Sequence, residues 1–193
     1  DNFLIPQIST GDMLRENVRN KTSLGKEAQK FMKSGELVPD SVILDMMKKR
    51  LAEQDCRNGY ILDGFPRTIA QAEGLDFLLD NLNQKLDQVV VMDVPDNLII
   101  TRLSNRRSCK ECGQVYNLIF EPPKNAGKCN NCNNELYLRE DDNPATIQQR
   151  LNVYHEQTEP VIKYYSDLGL TKVIDSKGTI DEIRFEIFQS ITN

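Results

Sequence analysis

Two C-x-x-C pairs, Cys109-Lys-Glu-Cys112 and Cys129-Asn-Asn-Cys132, interrupt an otherwise regular chain, with residues 113–128 between them. Each pair can present two thiolates to one ion from a tight turn. A hairpin between the pairs returns the chain, so that four sulfurs converge tetrahedrally. This spacing points to zinc in preference to two disulfides or four unrelated thiols. Four thiolates leave no open coordination position, so the ion is expected to be structural and not catalytic. From Ser108 to about Arg139 the periodicity lapses and Gly, Pro, Asn and Cys dominate. A segment this short cannot bury a sufficient apolar core alone, and a bound metal offsets that deficit. It reads as a small lobe inserted between two helices of a larger domain.

The flanking sequence is α/β in rhythm. Tyr60-Ile61-Leu62 running into Asp63-Gly64, Gln88 to Val94, and Lys172 to Ile174 are short apolar runs separated by helical stretches. That pattern predicts buried parallel strands with helices on both faces. Phe3 to Ile8 reads as a further short strand or its approach. Helices are expected from Thr10-Gly11-Asp12, over Leu24 to Ser34 with Gly35 as C-cap, and from Pro39-Asp40-Ser41. Others are expected over Asn97 to Arg106, after Asn143-Pro144 (carrying Ile147, Leu151, Tyr154 and Val161), and over Thr179 to Ile191.

Charge and thiol usage narrow the function classes. A net charge of −5 argues against a general nucleic-acid binder, which needs a basic face. No apolar run approaches the roughly 18 residues of a membrane span, and no secretion signal opens the chain. Paired reduced thiols fit a cytoplasmic location. Cys56 reads as a buried, unreactive thiol, and His155, the single histidine, as a surface or packing residue.

With no partnered histidine or nucleophile, the chemistry rests on arginine. Arg102 and Arg106 stand four apart on the helix expected over Asn97 to Arg106, so they share a face. Arg139 closes the inserted lobe next to Asp141 and Asp142, and Arg150 is mid-helix. Arg15 follows Thr10-Gly11-Asp12. Arg67 follows Asp63-Gly64-Phe65-Pro66 at the carboxyl end of a strand, where open α/β sheets place ligands. Guanidinium forks bind phosphate oxygens in pairs, which suits phosphoryl transfer.

Several segments together resemble the adenylate kinases of the long-lid, zinc-containing type. Ile8-Ser9-Thr10-Gly11-Asp12-Met13-Leu14-Arg15 and Asn58-Gly59-Tyr60-Ile61-Leu62-Asp63-Gly64-Phe65-Pro66-Arg67-Thr68, with Gln71 beyond, look like the family's two monophosphate motifs. The cysteine-paired insertion looks like its lid, and Arg139-Glu140-Asp141-Asp142 like the lid's exit. The likeness runs essentially from end to end. It implies a P-loop-kinase-like parallel sheet flanked by helices, a core of residues 1–104 and 142–193, an AMP-binding lobe at 9–38 and a zinc-binding lid at 105–141. It implies reversible transfer between Mg-ATP and AMP by a monomer, with no nucleic-acid or membrane partner.

The site roles come from the same resemblance. Thr10, Arg15 and Arg67 would hold the AMP phosphate, and Gln71 the adenine edge. Glu36, Leu37, Val38 and Gly64 would line that pocket. Arg102, Val115, Tyr116 and Gly178 would meet the ATP base and ribose. Arg106, Arg139 and Arg150 would clamp the transferring phosphoryl group, with Arg139 and Arg150 also reaching AMP. Asp63 would orient water around Mg²⁺. Two alternatives remain at this level: a kinase for UMP or CMP, which Gln71 and the long lid disfavour, and a non-catalytic zinc-ribbon module.

The family's G-x-x-x-x-G-K-[ST] loop does not occur in these 193 residues. The family begins with a strand, that loop and a helix, and this sequence opens at Asp1-Asn2-Phe3, where that helix would be ending. The family's strand lies between the one ending at Asp63 and the one over Gln88 to Val94. Its loss would leave buried backbone groups unpaired at about 1–3 kcal/mol each. The expectation is therefore that these residues belong to a longer enzyme. A polypeptide that began at Asp1 is expected to have negligible kinase activity.

Overall fold

The computed structural model describes residues 4–192. Phe3 of the expected first segment lies outside them, as does the sequence opening at Asp1-Asn2-Phe3.

The chain folds as alternating strands and helices, and most helices begin where a short polar side chain satisfies a free backbone N–H. Strand β1 (Gln7–Ser9) runs directly into helix α1 (Thr10–Arg19), whose Asp12 amide is capped by Ser9. Helix α2 (Ser23–Ser34) is capped by Thr22 and ends at Gly35, whose φ of 80° is the left-handed C-cap that glycine adopts without strain. Helix α3 (Asp40–Leu51) follows Pro39. Strand β2 (Ile61–Asp63) leads to α4 (Ile69–Asn81), capped by Thr68, and β3 (Val89–Asp93) leads to α5 (Asp96–Ser104). Three short strands follow: β4 (Arg106–Cys109), β5 (Val115–Asn117) and β6 (Leu136–Tyr137). Helix α6 (Pro144–Val153), capped by Asn143, continues through a π-helical turn over Tyr154–Thr158 into α7 (Glu159–Asp167). Strand β7 (Thr171–Asp175) and helix α8 (Ile180–Thr192) complete the described chain.

The core strands form two parallel pairs, β1 with β2 (Ile8 opposite Leu62) and β3 with β7 (Val91 opposite Val173). Strand β4 is the middle of a separate antiparallel sheet, with Arg107 opposite Tyr116 of β5 and Cys109 opposite Leu136 of β6. The largest apolar cluster joins β1 to α1–α4 through Ile8, Leu14, Ala28, Ile43, Met47 and Leu75. Met47 and Leu75 are fully buried. Burial of a side chain of that size contributes roughly 1.5–3 kcal/mol. A second cluster packs Ala72 of α4 on Val161 and Tyr165 of α7.

Helix α5 departs from the sequence expectation. It ends at Ser104, so Arg106 does not share a helical face with Arg102. The Asn105 backbone N–H closes the helix on Thr101 and Leu103, and Arg106 then pairs with Asn117 as the first residue of β4. Competing strand pairing and a buried ionic partner win over local helix propensity here. The long helix expected after Pro144 is likewise interrupted by the π-helical turn, a feature that often marks functional sites.

Candidate active site

The carboxyl ends of β1 and β2 open onto a cavity of about 610 Å³. Thr10, Arg15, Gly64, Arg67 and Gln71 line it, as do Glu36, Leu37 and Val38 from the turn between α2 and α3, and Arg150 from α6. The structure thus gathers onto one cavity most of the residues singled out for the monophosphate. The turn after β2 is built from within. Gly64 sits at φ 65°, a backbone conformation costly for other residues, and its carbonyl oxygen accepts from Thr10 Oγ1 at 3.0 Å and from Arg67 Nε at 2.9 Å. Thr158, in the π-helical turn, donates to the Arg67 carbonyl oxygen at 2.9 Å. Asp63 is exposed at the end of β2, and Gln7 Nε2 donates to its carboxylate at 2.9 Å.

The arginines crowd one another. Burial lowers the Arg67 pKa from its usual value, and the nearby Arg150 and Arg15 guanidiniums lower it further. Arg139 is lowered for the same reasons, by burial and then by Arg15 and Arg106. Cations held together against their own repulsion make a site that favours an anion. One fully buried carboxylate organises part of the cluster. Asp142 accepts from Arg106 Nε at 2.8 Å and from Arg106 Nη2 at 2.6 Å, a fork-to-fork pair. It also accepts from Arg150 Nη1 at 3.2 Å, and Asp141 holds the same nitrogen at 3.2 Å. Arg139 donates to Ser108 Oγ at 2.8 Å, which ties it to β4.

The residues singled out for ATP are placed differently. Arg102 lies over the ring of Phe120, 5.9 Å from its centroid, and its carbonyl oxygen accepts from Asn117. Val115 is exposed on β5, and Gly178 is exposed in the turn before α8. Tyr116 is buried in the core of the inserted lobe, and none of these four lines the cavity.

Sequence reading assigned no site role to Asp141, Asp142 and Thr158, described above, nor to Asp40 and Asp93. Asp93 lines the cavity at the end of β3, the counterpart of Asp63 on β2, and that shared strand-end position was its available signal. Asp40 opens α3 and accepts from Gln71 Nε2 at 2.8 Å and Thr68 Oγ1 at 3.0 Å.

Cys109, Cys112, Cys129 and Cys132 bring their sulfurs within 4.8 Å of one another. The closest pairs are Cys109–Cys132 at 3.4 Å, Cys112–Cys129 at 3.5 Å and Cys112–Cys132 at 3.6 Å. These are far longer than a disulfide's roughly 2.05 Å. They approach the roughly 3.8 Å edge of a tetrahedron with zinc–sulfur bonds of about 2.3 Å. The Tyr116 hydroxyl accepts from Asn130 N at 2.8 Å and donates to Cys129 Sγ at 3.4 Å, which brings that thiol down to about 6. Cys132 is also shifted down and Cys109 is pushed up to about 11, so the four sulfurs share their protons unequally, and a set of four converging thiols suits a thiophilic cation. Cys56 is fully buried elsewhere, against Arg50. His155 is half-exposed, paired with Glu159 and Asp96.

Among the described residues no helix is long and apolar enough to cross a membrane. Residues 1–170 match the family profile described as adenylate kinase. Among the curated relatives that carry the name adenylate kinase, three illustrate the likeness. One from Caldicellulosiruptor bescii is 50% identical over 189 residues, covering 98% of this chain and 88% of the relative. One from Thermodesulfovibrio yellowstonii is 52% identical over 183 residues, covering 95% and 85%. One from Methanothrix thermoacetophila is 52% identical over 187 residues, covering 97% and 86%. With that profile spanning most of its length and relatives matched nearly end to end, the chain belongs to the adenylate kinase family.

Proposed function

We propose that the arginine-lined cavity is where this nucleoside monophosphate kinase carries out reversible, Mg²⁺-dependent transfer of a phosphoryl group between ATP and AMP. The observation that carries the reading is the convergence of Arg15, Arg67 and Arg150 on one cavity, with Arg106 joined to Arg150 through Asp142 and Arg139 close to Arg15 and Arg106. Phosphoryl transfer spreads negative charge over the equatorial oxygens of the moving group, and fixed guanidiniums stabilise that charge without a covalent step.

In this reading Thr10, Arg15 and Arg67 hold the AMP phosphate, with Arg139 and Arg150 beside them. Gln71 meets the base, and Glu36, Leu37, Val38 and Gly64 wall the pocket. Arg106, Arg139 and Arg150 surround the transferring group. Arg102, Val115, Tyr116 and Gly178 serve the ATP base and ribose. The four cysteines hold a structural zinc that fixes the inserted lobe. Asp63, exposed at the end of β2, would orient water around the Mg²⁺ that accompanies ATP. Residues 105–141 form a lid, residues 9–38 the AMP lobe, and residues 1–104 and 142–193 the core. A lid is useful because water would otherwise compete as acceptor. We take the enzyme to be a cytoplasmic monomer that binds neither nucleic acid nor membrane.

A substrate panel tests the assignment. With ATP as donor, AMP is expected to be the preferred acceptor over CMP, UMP and GMP. Preference for a pyrimidine monophosphate would move the chain to a different specificity.

A further inference from the structure

Gln71 is 2% exposed and lines the cavity at the third position of α4. Its backbone N–H is taken by the Thr68 hydroxyl at 3.1 Å, the helix cap. Its carboxamide is held from both sides. Oε1 accepts from the Arg67 backbone N–H at 2.8 Å, and Nε2 donates to Asp40 Oδ1 at 2.8 Å. A backbone N–H can only donate, and a carboxylate offers only lone pairs. Turning the carboxamide over would set two donors face to face at Arg67 and two acceptors face to face at Asp40. The Thr68 hydroxyl cannot relieve that second clash. Its only proton already goes to Asp40 Oδ1, while one of its lone pairs takes the Gln71 N–H.

Once those bonds are counted, the carboxamide keeps one N–H and one lone pair of Oε1, in a fixed order. We propose that Asp40 is a specificity-determining positioning residue: by locking the Gln71 carboxamide in one orientation, it makes the monophosphate pocket select a 6-aminopurine over a 6-oxopurine. The inference rests on the reading that Gln71 meets the base. A 6-aminopurine edge presents a donor beside an acceptor and matches the fixed order. A 6-oxopurine edge presents an acceptor beside N1–H and matches only the inverted carboxamide. Sites that hydrogen-bond a substrate edge discriminate because a mismatch leaves buried polar groups unpaired. Asp40 gains leverage from its charge, since a charge-assisted bond resists inversion more than a neutral one.

The test is steady-state kinetics of the full-length enzyme with ATP as donor and AMP or IMP as acceptor, for the wild type, Asp40→Asn, Asp40→Ala and Gln71→Ala. In Asp40→Asn the side chain can itself turn, so an inverted Gln71 is opposed only at Arg67. The ratio of kcat/KM for IMP to that for AMP is expected to rise about tenfold, the factor that separates a charge-assisted from a neutral hydrogen bond, and to appear mainly in KM. Asp40→Ala should raise the KM for AMP by about the same factor, with kcat less affected. A residue that only supports the start of α3 would lower the melting temperature in both Asp40 variants and leave the IMP-to-AMP ratio where it was. That result, with Gln71→Ala still raising the KM for AMP, overturns the role of Asp40 while keeping Gln71 on the base. An unchanged KM for AMP in Gln71→Ala overturns the placement of Gln71 itself, and the proposal with it. Should Asp40→Ala fail to fold, Asp40→Asn decides alone.

Discussion

Asp142→Ala is the perturbation that presses hardest on the arginine cluster. The Asp142 side chain has 0% exposure, while those of Arg106 and Arg150 have 20% and 28%. Removing the carboxylate deletes three hydrogen bonds and leaves two guanidiniums without their shared counter-ion. Removing one partner of a buried ion pair costs about 3–5 kcal/mol when the orphaned charge stays buried. Here water reaches both arginines, so the lower end applies, about 3 kcal/mol. A domain of this size loses about 2–4 °C per kcal/mol, so the melting temperature should fall by about 6–12 °C. Asp142→Asn keeps the volume and one acceptor oxygen and should lose roughly half as much. The assay is denaturant and thermal unfolding of the full-length enzyme, with the KM for AMP measured in parallel, which should rise as Arg150 loses its orientation. A shift below about 2 °C with an unchanged KM would refute the reasoning, because it would mean that Asp141 and solvent suffice to keep these arginines in place.

The other predictions concern parts of the fold away from that carboxylate. Metal analysis should find one zinc per chain, and stripping it with a chelator, or Cys129→Ser, should lower the unfolding temperature, with zinc restoring it only in the unmutated chain; a metal-free protein of equal stability would contradict this. His155 is raised above the ordinary value of about 6.5 by its hydrogen bonds to Glu159 and Asp96, so its contribution is fully present below about pH 6.5 and is lost as pH rises through the higher folded value. His155→Gln should therefore destabilise the protein at about pH 5.5 and be close to neutral at about pH 9, and an equal cost at both would dispose of the pairing. In Gly25→Ala the added Cβ would sit inside the backbone of Asn17 and Val18, where α1 and α2 meet. That variant should lose about 1–3 kcal/mol in urea unfolding, and unchanged stability would show that the helices part freely.

The sequence displayed the features that act locally and left out those that act between distant segments. Gly35 announced the end of α2, Asn143-Pro144 the start of α6, and the cysteine spacing the lobe sulfurs that lie within 4.8 Å. Each depends on neighbours in the chain. Arg106 was placed on the helix of Arg102 because helix periodicity continued past Ser104, whereas pairing with Asn117 and the bond to Asp142, 36 residues away, decided otherwise. Asp40 looked like an ordinary helix-start acid, a bland role at that position. Its bond to Gln71 spans 31 residues, and only the packing of α3 on α4 creates it. The π-helical turn at Tyr154–Thr158 had no compositional marker and became legible through Thr158 reaching Arg67.

Calorimetric titration with two adenosines joined by a polyphosphate chain, using the full-length enzyme and its Arg67→Ala and Arg106→Ala variants, tests most directly whether these guanidiniums share one phosphate-binding cleft. Tight binding of one ligand per chain is expected, weakened by at least about tenfold in each variant through loss of a charge-assisted bond. Equal affinity in all three proteins would contradict the account.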